Sequence, residues 1–432
     1  MLTIAAHTLG CKVNQYDTQA MLELFQQAGY QTVSMDQSAD VYLINTCTVT
    51  GTGDKKSLQL IRKIRREHPS ALLVVCGCMA QQRGTDLLST GADLVLGTQR
   101  RGEILSLLEQ VRTAGVPLCA VEPLHAGQPF ERLAITTQNE HTRAVLKIQE
   151  GCNNRCSYCI IPTVRGPIRS RSLEDIREEV IRLSRSGFRE VVLTGIHLCS
   201  YGRDLDGSVT LLDVIRAVQD VDGILRIRLG SLEPVVATPE FAEALRHADK
   251  LCPQFHLALQ SGSDSVLRRM RRRYNTAQYL QGVENLRRVF PHAAFTTDIL
   301  TGFPGETEAE FEETKQMIKK VGFARIHVFP YSPRPDTPAA DMPGQLSSEE
   351  KERRARELIA LGNRIAGEYL KTWLGRETVL LPEEKVNGCW EGYTPEYIRV
   401  RLDDAACCQQ GVPVRIQLTQ VCPRRMGGKI ID

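Results

Sequence analysis

Apolar positions recur along this chain in two rhythms. Met21, Leu24, Phe25 and Ala28 stand at the i, i+3, i+4, i+7 spacing of one helical face, ending near Gly29, and they follow a strand-like run at 2–10. Residues 41–44, 71–75 and 92–96 read as further short strands, each followed by a polar or amphipathic stretch, which predicts a doubly wound parallel sheet. Residues 117–140 mix Pro, Gly, Gln and Thr without period and predict a linker. The alternation then restarts: strand candidates at 144–148, 190–194, 224–229, 255–259, 295–300 and 325–328 are separated by helical segments at 173–185, 211–219, 239–248, 277–289 and 308–321. Six such βα units predict a partial TIM-type (β/α)6 barrel with its chemistry at the carboxyl ends of the strands. A charged helix at 348–370 leads to strand-like runs at 377–381, 397–402 and 412–421, which suit a small antiparallel β-barrel. The expected division is an α/β unit at 1–116, the linker, a barrel unit at 141–370 and a β-barrel at 371–432.

Composition narrows the class without deciding it. A chain of 432 residues exceeds what one ordinary core organises, roughly 250–300 residues. Its 42% apolar and 24% charged content is that of a soluble globular protein. The longest nearly unbroken apolar run, 71–80, is about half of the roughly 20 residues a membrane span needs, and the first residues lack the basic stretch of a signal peptide. A cytoplasmic protein with no membrane partner is expected. In that compartment 14 cysteines favour metal binding or catalysis over disulfides. A net charge of +3 leaves any nucleic-acid footprint to local patches, for which Arg165, Arg169 and Arg171 and the run Arg268, Arg269, Arg271, Arg272 and Arg273 are candidates; solvated helix surface is the plainer reading of about half of them.

The most informative run is Gly151-Cys152-Asn153-Asn154-Arg155-Cys156-Ser157-Tyr158-Cys159, a CxxxCxxC loop directly after the first barrel strand. Three thiolates on one tight loop can hold three irons of a [4Fe–4S] cube whose usual complement is four cysteines, leaving one iron for a ligand that is not protein. A zinc loop short of one ligand, or three core cysteines, is the bland alternative. Other barrel strands end in Thr194-Gly195, in Gln260-Ser261-Gly262 and in a segment containing Asp298, Gly302, Pro304 and Gly305, where glycine permits close approach or positive φ; each alone also fits a plain turn. In the N-terminal unit Cys11, Cys47 and Cys78 each follow a predicted strand, and in an open parallel sheet such loops converge on one crevice. Cys76 competes with Cys78 but lies within the strand run. His197 and His327 read as packed or hydrogen-bonded side chains.

Taken together, Thr8-Leu9-Gly10-Cys11-Lys12-Val13-Asn14-Gln15, Asn45-Thr46-Cys47, Gly77-Cys78-Met79-Ala80-Gln81, the CxxxCxxC loop with Ile160-Ile161-Pro162 and Arg165-Gly166, and Gly302-Phe303-Pro304-Gly305-Glu306-Thr307 resemble the radical S-adenosylmethionine methylthiotransferases over nearly the whole chain. The resemblance implies two [4Fe–4S] clusters, an auxiliary one on Cys11, Cys47 and Cys78 and a radical one on Cys152, Cys156 and Cys159. It also implies S-adenosylmethionine both as source of a 5′-deoxyadenosyl radical and as methyl donor, and a C-terminal TRAM barrel that grips substrate. Thr194, Gly195, Gln260, Asp298, Gly302, Pro304 and Gly305 fall where the superfamily contacts S-adenosylmethionine. Implied partners are a transfer RNA, a reduced electron donor of flavodoxin or ferredoxin type and a sulfur source. The segments Leu193-Thr194-Gly195-Ile196-His197-Leu198, Arg226-Ile227-Arg228-Leu229-Gly230-Ser231-Leu232-Glu233-Pro234 and His327-Val328-Phe329-Pro330-Tyr331-Ser332 resemble the branch acting on C2 of N6-threonylcarbamoyladenosine beside the anticodon. Isopentenyladenosine, an aspartate of a ribosomal protein, or a non-catalytic iron–sulfur RNA-binding role are the alternatives. Asp336 stands where the family has Gly, Thr163 replaces an aromatic residue, and Cys389, Cys407, Cys408 and Cys422 match no motif.

Overall fold

The computed structural model describes residues 1–135, 142–402 and 408–431. Its N-terminal sheet carries six parallel strands in the order Gln31–Val33, Thr3–Thr8, Val41–Thr46, Leu72–Gly77, Leu94–Val95 and Leu118–Cys119. Helices on both faces bury the central strands, which is why 41–44 within Val41–Thr46 reads as an unbroken apolar run and not an alternating one. The connections leave the sheet in opposite directions from Thr3–Thr8 and Val41–Thr46, so the loops after these two strands part and open a crevice at their carboxyl ends. Gln31–Val33 and Leu118–Cys119 are too short to carry a period, and the second lies in the stretch read as a linker. That stretch also buries Leu133 and Ile135 in the barrel core; residues 136–141 lie outside the described residues.

The helix Lys12–Gln27 joins the two units. Met21 and Phe25 pack in the core of the N-terminal sheet, whereas Tyr16 and Ala20 belong to the barrel core. Tyr16 donates to the carbonyl of Leu133 at 2.5 Å and to Glu179 of a barrel helix at 3.1 Å. The helical stripe in the sequence captures only the first of these faces.

The central unit is the expected six-stranded partial barrel: Arg143–Glu150, Glu190–Gly195, a third strand broken at Gly230 into Arg226–Leu229 and Ser231–Leu232, then Gln254–Leu257, Ala294–Thr301 and Arg325–Pro330, each pairing in parallel with the next. The broken strand lets one half pair backward and the other forward, so the sheet turns a corner there. A two-residue strand, Arg169–Ser170, runs antiparallel to the first and brings the segment after the cysteine loop back alongside it.

After the helix Ser348–Lys371, five strands close into a barrel: Glu377–Val386, Cys389–Tyr393, Arg399–Leu402, Val414–Cys422 and Arg425–Ile430. Leu380, Val400, Leu402, Ile416, Leu418 and Met426 fill it. The second and fifth strands carry glycines instead of alternating apolar residues; at Gly428 a Cβ would lie 2.7 Å from Val400 Cγ1, so the close approach requires glycine. Cys407 lies outside the described residues.

Two buried arginines of the third strand of the central unit dock this barrel. Arg226 donates to the carbonyls of Tyr393 and Val379 at 3.0 and 2.7 Å, and Arg228 to that of Pro395 at 2.9 Å while pairing with Glu190 at 2.8 Å. The Arg228 guanidinium also lies 4.7 Å from the ring centre of Tyr397. Replacing Arg228 with Met therefore breaks a buried ion pair and removes one of the two arginines that hold the seam: a loss of about 2–4 kcal/mol is expected. It is read as a lower unfolding midpoint and faster proteolysis between the long helix and the C-terminal barrel.

Candidate active site

The CxxxCxxC loop is tied down along its length. Gly151 enters it at φ +72°, where an added Cβ would lie 1.9 Å from the carbonyl oxygen of Pro167, so the position requires glycine. Cys152 N–H donates to the carbonyl of Gly166 at 3.0 Å, Ser157 N–H to that of Met270 at 3.0 Å, and Cys159 N–H to that of Cys156 at 3.1 Å. Asn154 N–H points at Cys152 Sγ, 3.4 Å away. Arg272 supplies the counter-charge: Nη1 donates to Cys156 Sγ at 3.1 Å, Nη2 pairs with Glu233 at 2.8 Å, and Nε meets the Tyr274 hydroxyl at 3.1 Å. Burial pushes the Cys159 thiol up to about 12 and raises that of Cys152. Burial also opposes ionisation of Glu233, but His197, Arg272 and Asn154 outweigh it and bring this carboxyl down to about 2.

The second triplet assembles at the crevice of the N-terminal sheet. Gly10, at φ +111°, passes so close to Cys47 that a Cβ would lie 3.2 Å from its Sγ. Asn14 holds the two loops together, donating to the carbonyls of Leu9 at 2.7 Å and Thr46 at 3.0 Å. Gly77, at φ +93°, turns the chain so that Cys78 opens a short helix, Cys78–Arg83, at the carboxyl end of its strand. Cys78 has both Cys11 and Cys47 as electrostatic neighbours. Cys76 instead packs in the core on one face of the sheet, and burial drives its thiol well above the usual range. Burial raises Cys47 and pushes Cys78 up to about 12, so a metal taken up here would have to displace protons. Among the described residues no three His, Cys, Asp or Glu side chains are spaced to share one metal ion. Thiolates of a cube each meet a different iron and stand wider apart. Three cysteines with a buried guanidinium beside one of them suit such a cluster in donor chemistry and in charge.

One wall serves both triplets. Arg165 ends the short helix Ile161–Arg165 that follows the CxxxCxxC loop, and its Nε donates to Cys78 Sγ at 3.1 Å. Nη1 pairs with Glu150 at 2.9 Å and Asp17 at 3.1 Å, while Nη2 donates to Asn14 Oδ1. Lys147 and Arg101 complete the buried ion cluster around Asp17. Ile160 and Val164 pack directly on Cys78. On the other side, Arg334 donates to Thr48 Oγ1 at 2.8 Å and Asp54 at 2.5 Å, and Ser332 Oγ accepts from Gly51 N–H at 2.9 Å, so the Cys47 loop is also fastened to the barrel.

The remaining sequence candidates divide. Thr194 and Gly195 end the second strand, where a Cβ added at Gly195 would lie 2.9 Å from Gln149 Cβ and Gln149 Oε1 accepts from His197 N–H at 2.6 Å. Gln260 adopts φ +65° and is held between the backbones of Asp298 and Leu300. Asp298 Oδ2 lies 3.2 Å from His256 Nε2, and the His256 and His327 rings are 6.2 Å apart. Gly302 and Gly305 have φ +68° and +69°, but Gly302 lies under Lys351 of the long helix, and its N–H donates to Glu306 at 2.6 Å; Pro304 is buried between them. His197 bonds Glu233 at 3.1 Å and Ser200 at 2.5 Å. The first arginine patch is corrected: Arg165, Arg169 and Arg171 are 0%, 3% and 1% exposed, because each answers a buried carboxylate or carbonyl. In the second, Arg272 turns inward and Arg269 pairs with Glu310 at 2.8 Å, leaving Arg268, Arg271 and Arg273 exposed beside the loop's anchor at Met270. Asp336 takes φ +66°, the conformation glycine supplies elsewhere.

The chain matches the radical SAM superfamily over residues 146–318 and the uncharacterized protein family UPF0004 over residues 3–97. It is 42% identical to the threonylcarbamoyladenosine tRNA methylthiotransferase MtaB of Bacillus subtilis, covering 93% of this chain and 90% of that one. A tRNA-2-methylthio-N(6)-dimethylallyladenosine synthase of Pelotomaculum thermopropionicum is 35% identical, covering 88% and 86%. Among solved structures, the radical S-adenosylmethionine methyltransferase TsrM from Kitasatospora setae superposes with a TM-score of 0.58 at 16% identity, over 79% of this chain and 77% of that one, a likeness of fold. With a radical SAM match and a relative of this identity along nearly its entire length, the chain belongs to the radical S-adenosylmethionine methylthiotransferases, in the group that includes MtaB.

Proposed function

We propose that this enzyme adds a methylthio group to C2 of N6-threonylcarbamoyladenosine beside the anticodon of transfer RNA, using one cluster on Cys152, Cys156 and Cys159 and a second on Cys11, Cys47 and Cys78. The observation that carries this reading is the pair of cysteine triplets at the carboxyl ends of parallel strands, with Arg165, six residues after the first triplet, donating to Cys78 of the second. Bound there, the clusters and S-adenosylmethionine supply a reducing electron, a 5′-deoxyadenosyl radical and transferable sulfur and methyl. The chain's own side chains position and insulate. Gln149 Nε2 donates to the carbonyls of Glu150 and Gly151 at 2.7 and 2.8 Å, fixing the entry to the radical loop against the second strand. Thr194, Gly195, Gln260 and Asp298 line the S-adenosylmethionine pocket, and Gly302, Pro304 and Gly305 form the turn that bounds it. Arg268, Arg271 and Arg273 face solvent beside the loop and suit the phosphates of an approaching RNA. A flavodoxin- or ferredoxin-type donor and a separate sulfur source complete the reaction. Among the described residues no helix is long and apolar enough to cross a membrane.

A second reading, the same chemistry on isopentenyladenosine, has in its favour the 35% identity to the Pelotomaculum enzyme. Nucleoside mass spectrometry of transfer RNA from a deletion strain separates the two: the methylthio mark disappears from threonylcarbamoyladenosine in the first case and from the isopentenyl nucleoside in the second. If neither changes, and the reconstituted protein releases no 5′-deoxyadenosine with dithionite and S-adenosylmethionine, the catalytic reading fails in favour of a non-catalytic iron–sulfur protein.

Iron content tests the cages. The reconstituted chain is expected to hold about eight irons, Cys76→Ala to keep them, and Cys78→Ala to fall to about four on cubane stoichiometry. For the RNA face, replacing Arg268, Arg271 and Arg273 together by Ala weakens transfer RNA binding and lowers the slope of log affinity against log salt by about 2–3, at roughly 0.7–0.9 for each phosphate no longer neutralised. Equal slopes for variant and parent place the RNA elsewhere.

A further inference from the structure

The two cages have a feature in common that cluster ligation alone does not require. In each, one arginine is placed with every guanidinium nitrogen assigned, and one of those nitrogens points at a cysteine sulfur. Arg272 does this from within its own barrel, toward Cys156. Arg165 does it across the boundary between units: it stands six positions after Cys159, and its Nε reaches Cys78 of the other cage at 3.1 Å. Its side chain is completely buried, and its orientation is set by Glu150, Asp17 and Asn14, two of which lie on the helix that follows Cys11. The sequence motifs mark Arg165 only as part of a run after the loop. Nothing in cysteine spacing says that it serves the other cluster.

We infer that Arg165 is a positioning residue for the auxiliary cluster, holding Cys78 in register and favouring the cluster's more reduced state through its hydrogen bond to that sulfur. The inference rests on the two-cluster reading above. The physical basis is that reduction adds negative charge to the cluster, and a charge-assisted N–H···S bond in a dry setting stabilises the more negative state more than the less negative one. Asp17 and Glu150 work in the opposite sense by drawing the guanidinium's charge toward themselves, so the nitrogen facing sulfur is a fixed donor and not a mobile cation. The fold imposes a second consequence. Arg165 is covalently continuous with the radical loop and reaches Cys78 of the other unit, so one residue links the two segments.

The test uses full-length, anaerobically reconstituted protein in which Cys152, Cys156 and Cys159 are replaced by Ala, leaving the auxiliary cluster alone to be seen. Its reduction is followed by electron paramagnetic resonance in a mediator titration, in this parent and after adding Arg165→Gln or Arg165→Lys. At the parent's midpoint potential, the ratio of reduced to oxidised cluster is expected to fall about tenfold in the Gln variant, the effect of losing one charge-assisted bond. The Lys variant keeps a cation for Asp17 and Glu150 but cannot reach sulfur in the same geometry, and an intermediate shift is expected. If the Gln variant fails to retain a cluster, the Lys variant decides. An unchanged midpoint in a variant that keeps four irons overturns the assignment. Absence of a cubane signal from the parent overturns the two-cluster reading itself, and this assignment with it.

Discussion

A buried ion cluster decides how this molecule is put together. Asp17 comes from the N-terminal sheet's first helix, Lys147 and Glu150 from the first barrel strand, Arg165 from the segment after the radical loop and Arg101 from the edge of the N-terminal unit. Such a cluster is an unfavourable use of charge unless every member is paired, since each ion gives up its hydration and removal of one partner leaves another stranded. Here it does something packing alone does less well. Directional bonds between fixed charges set the register of one α/β unit against the other, and Cys78 lies against that seam through its contact with Arg165. Arg334 and Ser332 add a second fastening near Cys47, so the sheet is held at two points about the crevice.

Most of the fold is legible in the sequence because apolar periodicity reports burial, and burial is what the helices and longer strands achieve. The parts that escape are those where periodicity has no room or where one segment packs against two cores. Gln31–Val33 and Leu118–Cys119 are too brief for alternation. The strands containing Gly392, Gly427 and Gly428 put glycines where alternation would place apolar side chains, and they contribute Trp390, Met426 and Ile430 to the core without a regular period. The helix Lys12–Gln27 buries two faces against two cores, which blurs any single stripe. Residues 117–135 look irregular in composition, yet Leu133 and Ile135 complete the barrel core.

The site is legible as a set of cysteines and much less so as a chemical environment. Spacing alone does not separate Cys78 from Cys76, and the expected loop position ranks Cys78 first; in the fold Gly77 turns the backbone so that Cys78 opens a short helix with Cys11 and Cys47 as neighbours, while Cys76 stays in the core. Arginine density, by contrast, misleads. A sequence shows where positive charge is written, but not whether a carboxylate waits beneath the surface, and Arg165, Arg169, Arg171 and Arg272 all turn inward. Gln149 and Glu150 carry no motif of their own, and Asn154 and Glu233 stand in quoted runs without a role; all four become visible only through their contacts about the loop.

Everything proposed for the chemistry requires the chain to carry two cubane clusters, each with one iron not ligated by protein. Mössbauer spectroscopy of protein reconstituted with 57Fe measures this most directly. Two cubanes per chain are predicted, with addition of S-adenosylmethionine changing the signal of one iron in the radical cluster. A single cubane, or two whose irons are all indifferent to S-adenosylmethionine, would contradict it.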